Sequence, residues 1–327
     1  MRFVVTIALF LLCSWSASSQ PDSIRIAFYN CENYFDSFRD STINDEDYTS
    51  QGKRYWSYSR FLKKRNSIFK VFASMSNPTP PEIIGLCEIE NRFVLNQLAY
   101  ETPLSRFGYA VVHENSSDRR GIDVALIYQK DRLRLLAYKY FNPRSIDSSL
   151  YTRSILYAKF RWGDFDTLHV LVNHFPSKLG GERSDRSRLQ VGHLLKAKID
   201  SIQSVMPTAH IVAMGDFNDT PESDALALLS NGSLVNLAIP LAKEGIGSIR
   251  FEGKWELIDQ LIVSKSLASG DSPITLNGRM RIYAAPFLLT ADEEYGGEKP
   301  LRTFNGFSYI GGYSDHLPIF ISLVRAL

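Results

Sequence analysis

The chain has 327 residues, of which 44% are hydrophobic and 22% are charged, a composition typical of a globular protein with a sizeable core. Its formal net charge of +2 excludes a strong overall attraction to nucleic acid or to an anionic membrane, but it permits a local basic patch. No internal repeat, low-complexity run or Pro/Gly-rich linker divides the sequence. We therefore expect one domain over residues 20–327.

The N-terminus, MRFVVTIALFLLCSWSASSQP, predicts export. It has one early Arg, an apolar run and then small polar residues, and Ala17-Ser18-Ser19 offers a cleavage site, so residues 1–19 are expected to be a signal peptide. The apolar run is too short for a good membrane-spanning helix. A lipid anchor at Cys13 is an alternative of lower rank, because Leu12 is bulkier than such sites usually accept. The mature protein is expected to be periplasmic or secreted.

Hydrophobic patterns along the chain predict strands interleaved with helices. The predicted helices are residues 57–75 and 184–205, where apolar side chains recur with a helical period. The predicted strands are 24–30, 82–89, 109–114, 123–129, 154–160, 167–174, 210–216, 257–264, 275–283 and 317–324. Several of these strands are continuous apolar runs, which suits sheets covered on both faces. The pattern predicts an α/β fold in which sheets pack together and helices lie outside.

Two long segments, 36–58 and 284–312, have no clear periodicity. Loops of this length in a compact domain are usually functional or disordered. Tyr55, Trp56 and Tyr58 lie beside basic residues, so base stacking and phosphate contacts are one interpretation of the first segment. Packing over the edge of a sheet is the interpretation we favour, since aromatic residues next to the start of a helix usually pack.

Acids, amides and histidines stand where the apolar runs end. Taken singly, each fits a turn residue or a helix cap, except that Asp259, inside an apolar run, needs a partner. Taken together they predict a shared site, because strand ends of α/β sheets gather ligands at a crevice. The residues concerned are Asn30, Glu32, Glu88, His174, Asp216, Asn218, Asp259, Asp315 and His316.

These residue types suit metal-assisted hydrolysis of phosphoesters. Carboxylates and carboxamides are hard oxygen ligands, which Mg²⁺ prefers, with Mn²⁺ or Ca²⁺ as alternatives. The set lacks the thiolates or closely spaced histidine pairs of a zinc site. Histidines beside carboxylates can bind a phosphoryl oxygen or move a proton near neutral pH.

Four motifs carry a resemblance to a known family. In chain order, GLCEIEN, VNHFPSK, GDFND and YSDHLPI resemble the successive motifs of the endonuclease/exonuclease/phosphatase superfamily, the DNase I-like proteins. The family's first motif, a strand ending in Asn, is similar to IAFYN, and the resemblance extends over residues 24–324. It implies a four-layered α/β/β/α sandwich with two mixed sheets packed face to face and helices outside.

The resemblance also implies the ligands of a metal ion. Glu88 is expected to be the principal metal-binding carboxylate, with Asn30 and Glu32 beside it. Glu32 fits the family's position only loosely. Asp315 is expected to complete or approach the metal site.

The remaining motif residues are implied to act on water and phosphate. Asp216 is expected to orient and deprotonate the attacking water, and Asn218 to hold that water or a phosphoryl oxygen. His316, paired with Asp259, is expected to contact the scissile phosphate, and His174 to be a second histidine facing it. The adjacent Asp315 and His316 would then point to the metal and to the phosphate, respectively.

Basic residues near these motifs are candidates for substrate binding. Arg120, in DRRGIDVALIY, stands where many family members have a phosphate-contacting residue, although a solvated surface arginine is the alternative. Lys178, just after NHFPS, is a slightly better candidate. Arg183, Arg186 and Arg188 are further candidates to line the opening of the predicted site, but Arg186 and Arg188 also fit the polar face of a helix.

The mature chain keeps two cysteines, Cys31 and Cys87. Export permits a disulfide. Strand alternation turns both sulfurs to the face opposite the neighbouring site residues, so they are expected on the same face. Two separate buried thiols that pack as small hydrophobes are an equally weighted alternative.

The sequence therefore predicts an exported, divalent-metal-dependent hydrolase, a phosphodiesterase or nuclease that acts as a monomer on a phosphodiester substrate, with nucleic acid as one candidate. A phosphomonoesterase or a lipid phosphodiesterase is the alternative, and the lipid substrate ranks lower because no long apolar hairpin suggests membrane insertion. A non-catalytic binding module ranks lower still, because the acids of the site are retained. A carboxylate-pair glycosidase does not explain the GDFN and SDH motifs.

Overall fold

The computed structural model describes residues 22–163, 166–230, 232–270 and 272–325. The predicted signal peptide, residues 1–19, and Cys13 lie outside them. Of the helices in the described ranges, none combines the length and the apolar character needed to cross a membrane.

The described residues form nineteen strands and six α-helices. The strands are β1 (Asp22–Tyr34), β2 (Ile83–Ile89), β3 (Tyr109–Val112), β4 (Asp123–Gln129), β5 (Arg134–Phe141), β6 (Ile155–Trp162), β7 (Asp166–His174), β8 (His210–Asp216), β9 (Leu234–Asn236), β10 (Ile249–Phe251), β11 (Lys254–Glu256), β12 (Asp259–Ser264), β13 (Ile274–Leu276), β14 (Arg281–Ile282), β15 (Leu289–Ala291), β16 (Glu298–Pro300), β17 (Phe304–Asn305), β18 (Ser308–Tyr309) and β19 (Ile319–Arg325). The helices are α1 (Tyr58–Ser74), α2 (Arg92–Tyr100), α3 (Glu182–Val205), α4 (Asp224–Ala227), α5 (Ala238–Lys243) and α6 (Lys265–Ala268).

Two mixed sheets form the body of the molecule. The first has the strand order β13-β19-β1-β2-β4-β3, with β14 also paired to β19. The second has the order β5-β6-β7-β8-β12-β9. The pairs β1–β2 and β7–β8 are parallel, whereas the other neighbours are antiparallel. The remaining short strands form three hairpins outside these sheets.

The two sheets pack face to face through one hydrophobic core. Alternate residues of β1, Ile26 and Phe28, point into this core and meet side chains such as Phe160 and Met214 of the second sheet. Because strand side chains alternate between faces, the residues between them point the other way. Tyr29 accordingly joins a separate core beneath α1 and α2.

A third core joins the second sheet to the helix on its outer face. Leu171 of β7 and Ile211 of β8 pack against Leu195 and Ile199 of α3. The helical layers on both outer faces complete the predicted four-layered α/β/β/α sandwich, which is confirmed.

Each predicted helix and strand has an observed counterpart except residues 275–283, and several observed elements were not predicted, β5 and α2 among them. Residues 275–283 form two short strands, because the chain turns through Gly278 at φ +81°. Strand β5 was not predicted, since most of its side chains are exposed or half-buried and its pattern is weak. Helix α2 was missed because it begins two residues after β2, where the Asn91 side chain caps it by accepting from the Val94 N–H group at 3.1 Å.

Buried rings of the segment 36–58 pack into the core beneath α1 and α2. Trp56 is fully buried, and its indole N–H group donates to the carbonyl oxygen of Phe35 at 3.1 Å. Phe35 stacks on Tyr48 with ring centres 4.2 Å apart. Tyr55 and Tyr58 remain exposed. The buried rings agree with the favoured packing interpretation of this segment.

Cys31 and Cys87 are free, buried thiols. Cys87 points into the core between the sheets, whereas Cys31 lies in the core beneath α1. The expectation that both sulfurs share a face was therefore wrong. Glu88 has φ +58° and the β1–β2 and β2–β4 registers shift there, so simple alternation does not hold at the end of β2.

Candidate active site

The candidate site lies where the ends of β1 and β2 meet the ends of β7, β8 and β12 in the opposite sheet. Strand register brings three polar residues into one row. Asp216, at the end of β8, pairs with His174 of β7 on one side and with Asp259 of β12 on the other. The strand ends of the second sheet thus supply a His–Asp–Asp row by backbone pairing alone.

Asp216 is at the centre of the site. Its Oδ1 atom accepts from the Asn218 backbone N–H group at 2.9 Å, and its Oδ2 atom accepts from Asn30 Nδ2 at 3.0 Å. The Nε2 atoms of His174 and His316 lie 3.6 and 3.9 Å from Oδ2. Burial raises the pKa of Asp216 to about 7, although His316 acts in the opposite direction. A carboxylate with this pKa is suited to accepting a proton near neutral pH.

His316 and Asp259 form a buried pair. His316 Nδ1 lies 2.7 Å from Asp259 Oδ2, which also accepts from Ser248 Oγ at 2.5 Å. Burial alone would lower the pKa of His316, but the charge and hydrogen bond of Asp259 raise it well above its ordinary value. The imidazole is therefore cationic near neutral pH and keeps an N–H group at Nε2.

The turn that carries His316 is tied to the end of β1. Ser314 Oγ donates to the backbone oxygen of Asn30 at 2.7 Å and accepts from the His316 backbone N–H group at 3.1 Å. Asn30 Nδ2 lies 3.4 Å from His316 Nε2. Residues from both ends of the chain are thus held against each other at this point.

His174 has the opposite protonation tendency. Its side chain is buried, and burial, followed by the nearby Arg153, Arg120 and His316 cations, lowers its pKa well below the ordinary value. Its Nδ1 atom has no hydrogen-bond partner among the described residues. The site therefore combines one cationic histidine and one neutral histidine, a difference set by their surroundings.

Backbone strain is concentrated beside Asp216 and Glu88. Glu32, Asn33, Glu88 and Asn218 have φ values of 48°, 53°, 58° and 49°. Left-handed conformations cost free energy in residues other than glycine and cluster at functional sites. Glu88, turned in this way, accepts from the Asn33 backbone N–H group through Oε2 at 2.7 Å and places Oε1 3.4 Å from Asn30 Nδ2.

Glu32 and Asp315 lie on the side of the site formed by the loop after β16. Glu32 Oε2 accepts from the Thr303 backbone N–H group at 2.5 Å and lies 3.9 Å from Lys64 Nζ. Arg302 bridges the two acids, with Nε 3.3 Å from Glu32 Oε1 and Nη2 3.0 Å from Asp315 Oδ2. Both oxygens of Glu32 thus already face donors, and its role as a metal ligand stays a prediction.

The oxygen donors of the site fit a hard divalent cation. Glu88 and Asp216 present carboxylates on either side of Asn30, and Asp315 Oδ1 lies 4.0 Å from His316 Nε2. Asn30 Oδ1 accepts from the Glu32 backbone N–H group at 2.9 Å, which leaves its second lone pair for a cation. Carboxylate and amide oxygens are the donor set that Mg²⁺ prefers.

Two groups of described residues bring their ligand atoms within 4.8 Å of one another, and both contain Asp216. In the first, Asp216 is accompanied by Cys87 and His174, but burial raises the pKa of Cys87 well above its ordinary value, so its thiol is neutral and a poor ligand. In the second, Asp216 is accompanied by Asp259 and His316, which are hydrogen-bonded to each other. This second arrangement suits proton transfer.

The predicted substrate-binding residues Arg120 and Lys178 each lie close to an acid outside the central carboxylates. Arg120 is half exposed, with Nε 3.6 Å from Asp118 Oδ1. Lys178 Nζ donates to Glu256 Oε2 at 3.1 Å on the surface. Their predicted contacts with a substrate stay predictions.

Three arginines of α3 were also singled out by the sequence. Arg183 and Arg186 are exposed. Arg188 is buried and pairs with Asp185 and with Asp219, the latter at 3.0 Å. Arg188 therefore holds the GDFND turn against the helix and does not face the site mouth.

The sequence analysis missed residues that support the site from a distance. Ser248 lies in the loop before β10 and Lys64 lies in α1, and neither belongs to a recognised motif. Only their contacts in the folded protein identify them. The same holds for Arg302 and Arg153. Ser314 was within reach, because it directly precedes Asp315 and His316 in the YSDHLPI motif.

Comparisons with known proteins agree with the observed fold. The model of the Endonuclease/Exonuclease/phosphatase family matches residues 25–325. No curated protein matches the sequence.

Solved structures share the fold at low sequence identity. D. rerio TDP2 complexed with single strand DNA product is 14% identical, with a TM-score of 0.58 over 92% of this chain and 98% of that one. An endonuclease/exonuclease/phosphatase family protein from Bacteroides thetaiotaomicron is 18% identical, with a TM-score of 0.57 over 94% of this chain and 100% of that one. A similar protein from Bacteroides vulgatus is 16% identical, with a TM-score of 0.58 over 93% of this chain and 100% of that one.

Proposed function

Because the chain belongs to the endonuclease/exonuclease/phosphatase family, we propose that it is an exported, divalent-metal-dependent phosphodiesterase, and that nucleic acid is its most suitable substrate class. The observation that carries this proposal is the buried Asp216, which lies between Asn30 and a cationic His316 held by Asp259. A phosphoesterase needs a base for water and a fixed positive charge for the phosphoryl oxygens, and this arrangement offers both.

In the proposed mechanism, Asp216 accepts the proton of the attacking water. Its two oxygens are already oriented by the Asn218 backbone N–H group and by Asn30, so little reorganisation is needed. Asn218 Nδ2 donates to the Phe175 backbone oxygen at 3.0 Å, which fixes the amide beside the base. Asn218 is then positioned to hold the water or a phosphoryl oxygen.

His316 stabilises the charge that develops on the phosphate. Its Nε2–H group faces the interior of the site, and Asp259 keeps it protonated. A charge-assisted hydrogen bond of this kind is stronger than a neutral one. His174, neutral and on the other side of Asp216, is positioned to donate a second, uncharged hydrogen bond.

A divalent cation held by Glu88, with Asn30, Asp216 and Asp315 nearby, would supply Lewis-acid neutralisation of the phosphoryl oxygens when bound. Glu32 is more suited to anchoring the loop at Thr303, because its oxygens face Thr303, Lys64 and Arg302. Mg²⁺ fits the oxygen donors best, with Mn²⁺ and Ca²⁺ as alternatives.

Export, a single domain over residues 20–327 and a monomeric state remain part of this proposal. The hydrophobic N-terminus followed by Ala17-Ser18-Ser19 supports export. D. rerio TDP2, which shares the fold, was solved with a single strand DNA product, and this supports placing a nucleic-acid strand before other diesters. Phosphomonoesters and sphingomyelin-type lipids stay as alternatives.

A substrate panel tests the proposal. The protein is incubated with bis-p-nitrophenyl phosphate, single-stranded and plasmid DNA, p-nitrophenyl phosphate and sphingomyelin vesicles, in Mg²⁺, Mn²⁺ or Ca²⁺. We expect cleavage of the diester and of DNA, and weak or no hydrolysis of the monoester and the lipid. Hydrolysis of the monoester alone, or of the lipid alone, would replace the proposed substrate class, and an inert protein with every metal would overturn the enzymatic proposal.

A further inference from the structure

A groove of about 590 Å³ lies beside the candidate site and is lined mainly by basic and hydroxyl side chains. We refer to it as the arginine groove. Its charged lining residues are Asp118, Arg119, Arg120, Arg153 and Arg183. Four cations therefore face one carboxylate, in a protein whose overall charge is close to zero.

The single carboxylate that lines the groove, Asp118, is already paired with one of the groove's own arginines. Asp118 accepts from the buried Arg153 at 2.9 Å, whereas Arg120 lies farther away, at 3.6 Å. Within the described ranges, no carboxylate oxygen lies within 4.0 Å of the side-chain nitrogens of Arg119 or Arg183. The acids at the start of α3 do not cancel this charge, because Asp185 pairs with Arg188 and Glu182 does not line the groove.

Hydroxyl groups complete the lining. They belong to Ser149, Thr152, Ser177, Ser184 and Ser187, with Tyr151 at the rim. Thr152 is 5% exposed, and its Oγ1 atom has no hydrogen-bond partner among the described residues. Guanidinium groups together with hydroxyl groups form the donor set that binds phosphate oxygens.

The groove does not offer a platform for stacking a base. The guanidinium groups of Arg119 and Arg144 lie 4.4 and 4.3 Å from the centre of the Tyr151 ring. The ring is therefore covered by cations. A ligand in this groove is recognised by its negative charge and its acceptor oxygens.

The groove is continuous with the candidate catalytic site. Pro176 and Ser177, which line it, lie two and three residues after His174. Arg153 donates to the backbone oxygen of Phe175, which also accepts from Asn218 Nδ2 at 3.0 Å. The backbone oxygen of Phe175 thus accepts hydrogen bonds from Asn218, beside the catalytic base, and from Arg153, in the groove.

We infer that the arginine groove binds a second phosphate group of the substrate, next to the ester that is cleaved. This inference rests on the proposed function and narrows it to substrates with at least two phosphates. Two sources have this chemistry, a nucleic-acid strand and a small polyphosphorylated ester. Recognition through the backbone phosphate alone predicts little dependence on base sequence.

The kinetic test compares two esters that differ by one phosphate. The p-nitrophenyl ester of thymidine 5′-phosphate is assayed with and without a 3′-phosphate, and the ratio of kcat/KM between them is the readout. We expect the wild-type protein to prefer the 3′-phosphorylated ester about tenfold or more, as one or two charge-assisted hydrogen bonds would give. Arg119→Ala combined with Arg183→Ala should bring the ratio close to one.

Arg186→Ala is the matched control, because Arg186 is an exposed arginine on the same helix that does not line the groove. It should keep the wild-type ratio. Equal kcat/KM values for the two esters in the wild-type protein would overturn the inference, as would an unchanged ratio in the double variant. A ratio lost equally in Arg186→Ala would reduce the effect to general surface charge and would also overturn it.

An equilibrium measurement separates this inference from the proposed catalysis. Binding of thymidine 3′,5′-bisphosphate and thymidine 5′-phosphate is measured by calorimetry in EDTA, where no metal-dependent turnover occurs. The wild-type protein should bind the bisphosphate more tightly, and the double variant should lose the difference. No preference would contradict the groove assignment even if the enzyme is active. Octathymidylate and glucose 1,6-bisphosphate then distinguish the sources, the tighter ligand identifying a strand or a small ester.

Discussion

The Nδ1 atom of His316 lies 2.7 Å from the Oδ2 atom of Asp259, and this contact joins the two sheets of the sandwich. Asp259 begins β12 in the second sheet, whereas His316 lies three residues before β19 in the first. Neither strand could provide the pair by itself. The face-to-face packing of the sheets therefore brings Asp259 to His316 and so keeps this histidine cationic.

Asp259→Asn should lower kcat for bis-p-nitrophenyl phosphate by about a hundred- to a thousandfold, with a smaller effect on KM. The amide keeps the shape of the side chain but removes the charge that holds the imidazole in its cationic form. Ser248→Ala, which removes only the hydroxyl bonded to Asp259, is the milder comparison and should cost less. Activity of Asp259→Asn within twofold of wild type would exclude a role for the pair in catalysis.

The same substitution should lower the pKa of His316, because burial then acts without an opposing carboxylate. The imidazole titration is measured by NMR in EDTA, with His316→Gln to assign the signal. In the wild-type protein the folded-state pKa is raised, so the pair stabilises the fold fully below about pH 6.5 and this contribution is lost as pH rises through the folded-state pKa. In Asp259→Asn, the free energy of unfolding should not show this decrease with rising pH. A His316 signal that titrates at the same pH in both proteins would contradict this.

Lys64→Met should destabilise the protein by about 3–5 kcal/mol. Lys64 is buried, donates to Thr303 Oγ1 and to the Tyr313 backbone oxygen at 2.5 Å each, and faces Glu32. Removing it leaves these acceptors without their donor and a buried carboxylate short of a partner. The free energy of unfolding is measured in urea.

A double-mutant cycle with Glu32→Gln isolates the Lys64–Glu32 interaction. Because both groups are buried, we expect the double variant to be less destabilised than the sum of the single variants. Additive effects would mean that the two charges do not interact, and that the lysine acts only through Thr303 and Tyr313.

Glu88→Gln should weaken metal binding, because an amide is a poorer ligand for a hard cation than a carboxylate. We expect the Mg²⁺ concentration that gives half-maximal activity to rise about tenfold or more. Glu32→Gln is the matched control. Its carboxylate faces Thr303, Lys64 and Arg302, so its replacement should lower stability more than it shifts the Mg²⁺ midpoint. A larger shift of the Mg²⁺ midpoint in Glu32→Gln than in Glu88→Gln would mean that Glu32, and not Glu88, is the principal metal ligand.

The sequence predicted the parts of the fold that depend on local patterns. β4 and β8 occur at residues 123–129 and 210–216, as predicted, because each is a continuous apolar run bounded by polar residues. β5 escaped prediction because an exposed edge strand has little hydrophobic pattern. α2 escaped because its N-cap, Asn91, is the last residue of the GLCEIEN motif and so was not considered as the start of a helix.

For the candidate site, the sequence indicated which polar residues lie close together but not which hydrogen bonds and ion pairs fix each of them. Their positions at strand ends placed Asn30, His174 and Asp216 together, as observed. The contacts of Arg302 with Glu32 and of Ser248 with Asp259 join loops that only the folded chain brings together. Cys87 lies on the same face of β2 as Ile83, as alternation requires, whereas the left-handed Glu88 departs from alternation, which strand periodicity does not anticipate.

The most direct test of the account measures hydrolysis of bis-p-nitrophenyl phosphate by the wild-type protein and by Asp216→Ala, each with Mg²⁺ and with EDTA. Folding of the variant is checked by its unfolding transition. The account predicts turnover by the wild-type protein that requires Mg²⁺ and that falls at least about a hundredfold in the folded variant. Turnover that persists in EDTA would contradict the metal dependence, and turnover that persists in Asp216→Ala with Mg²⁺ would contradict the assignment of Asp216 as the base.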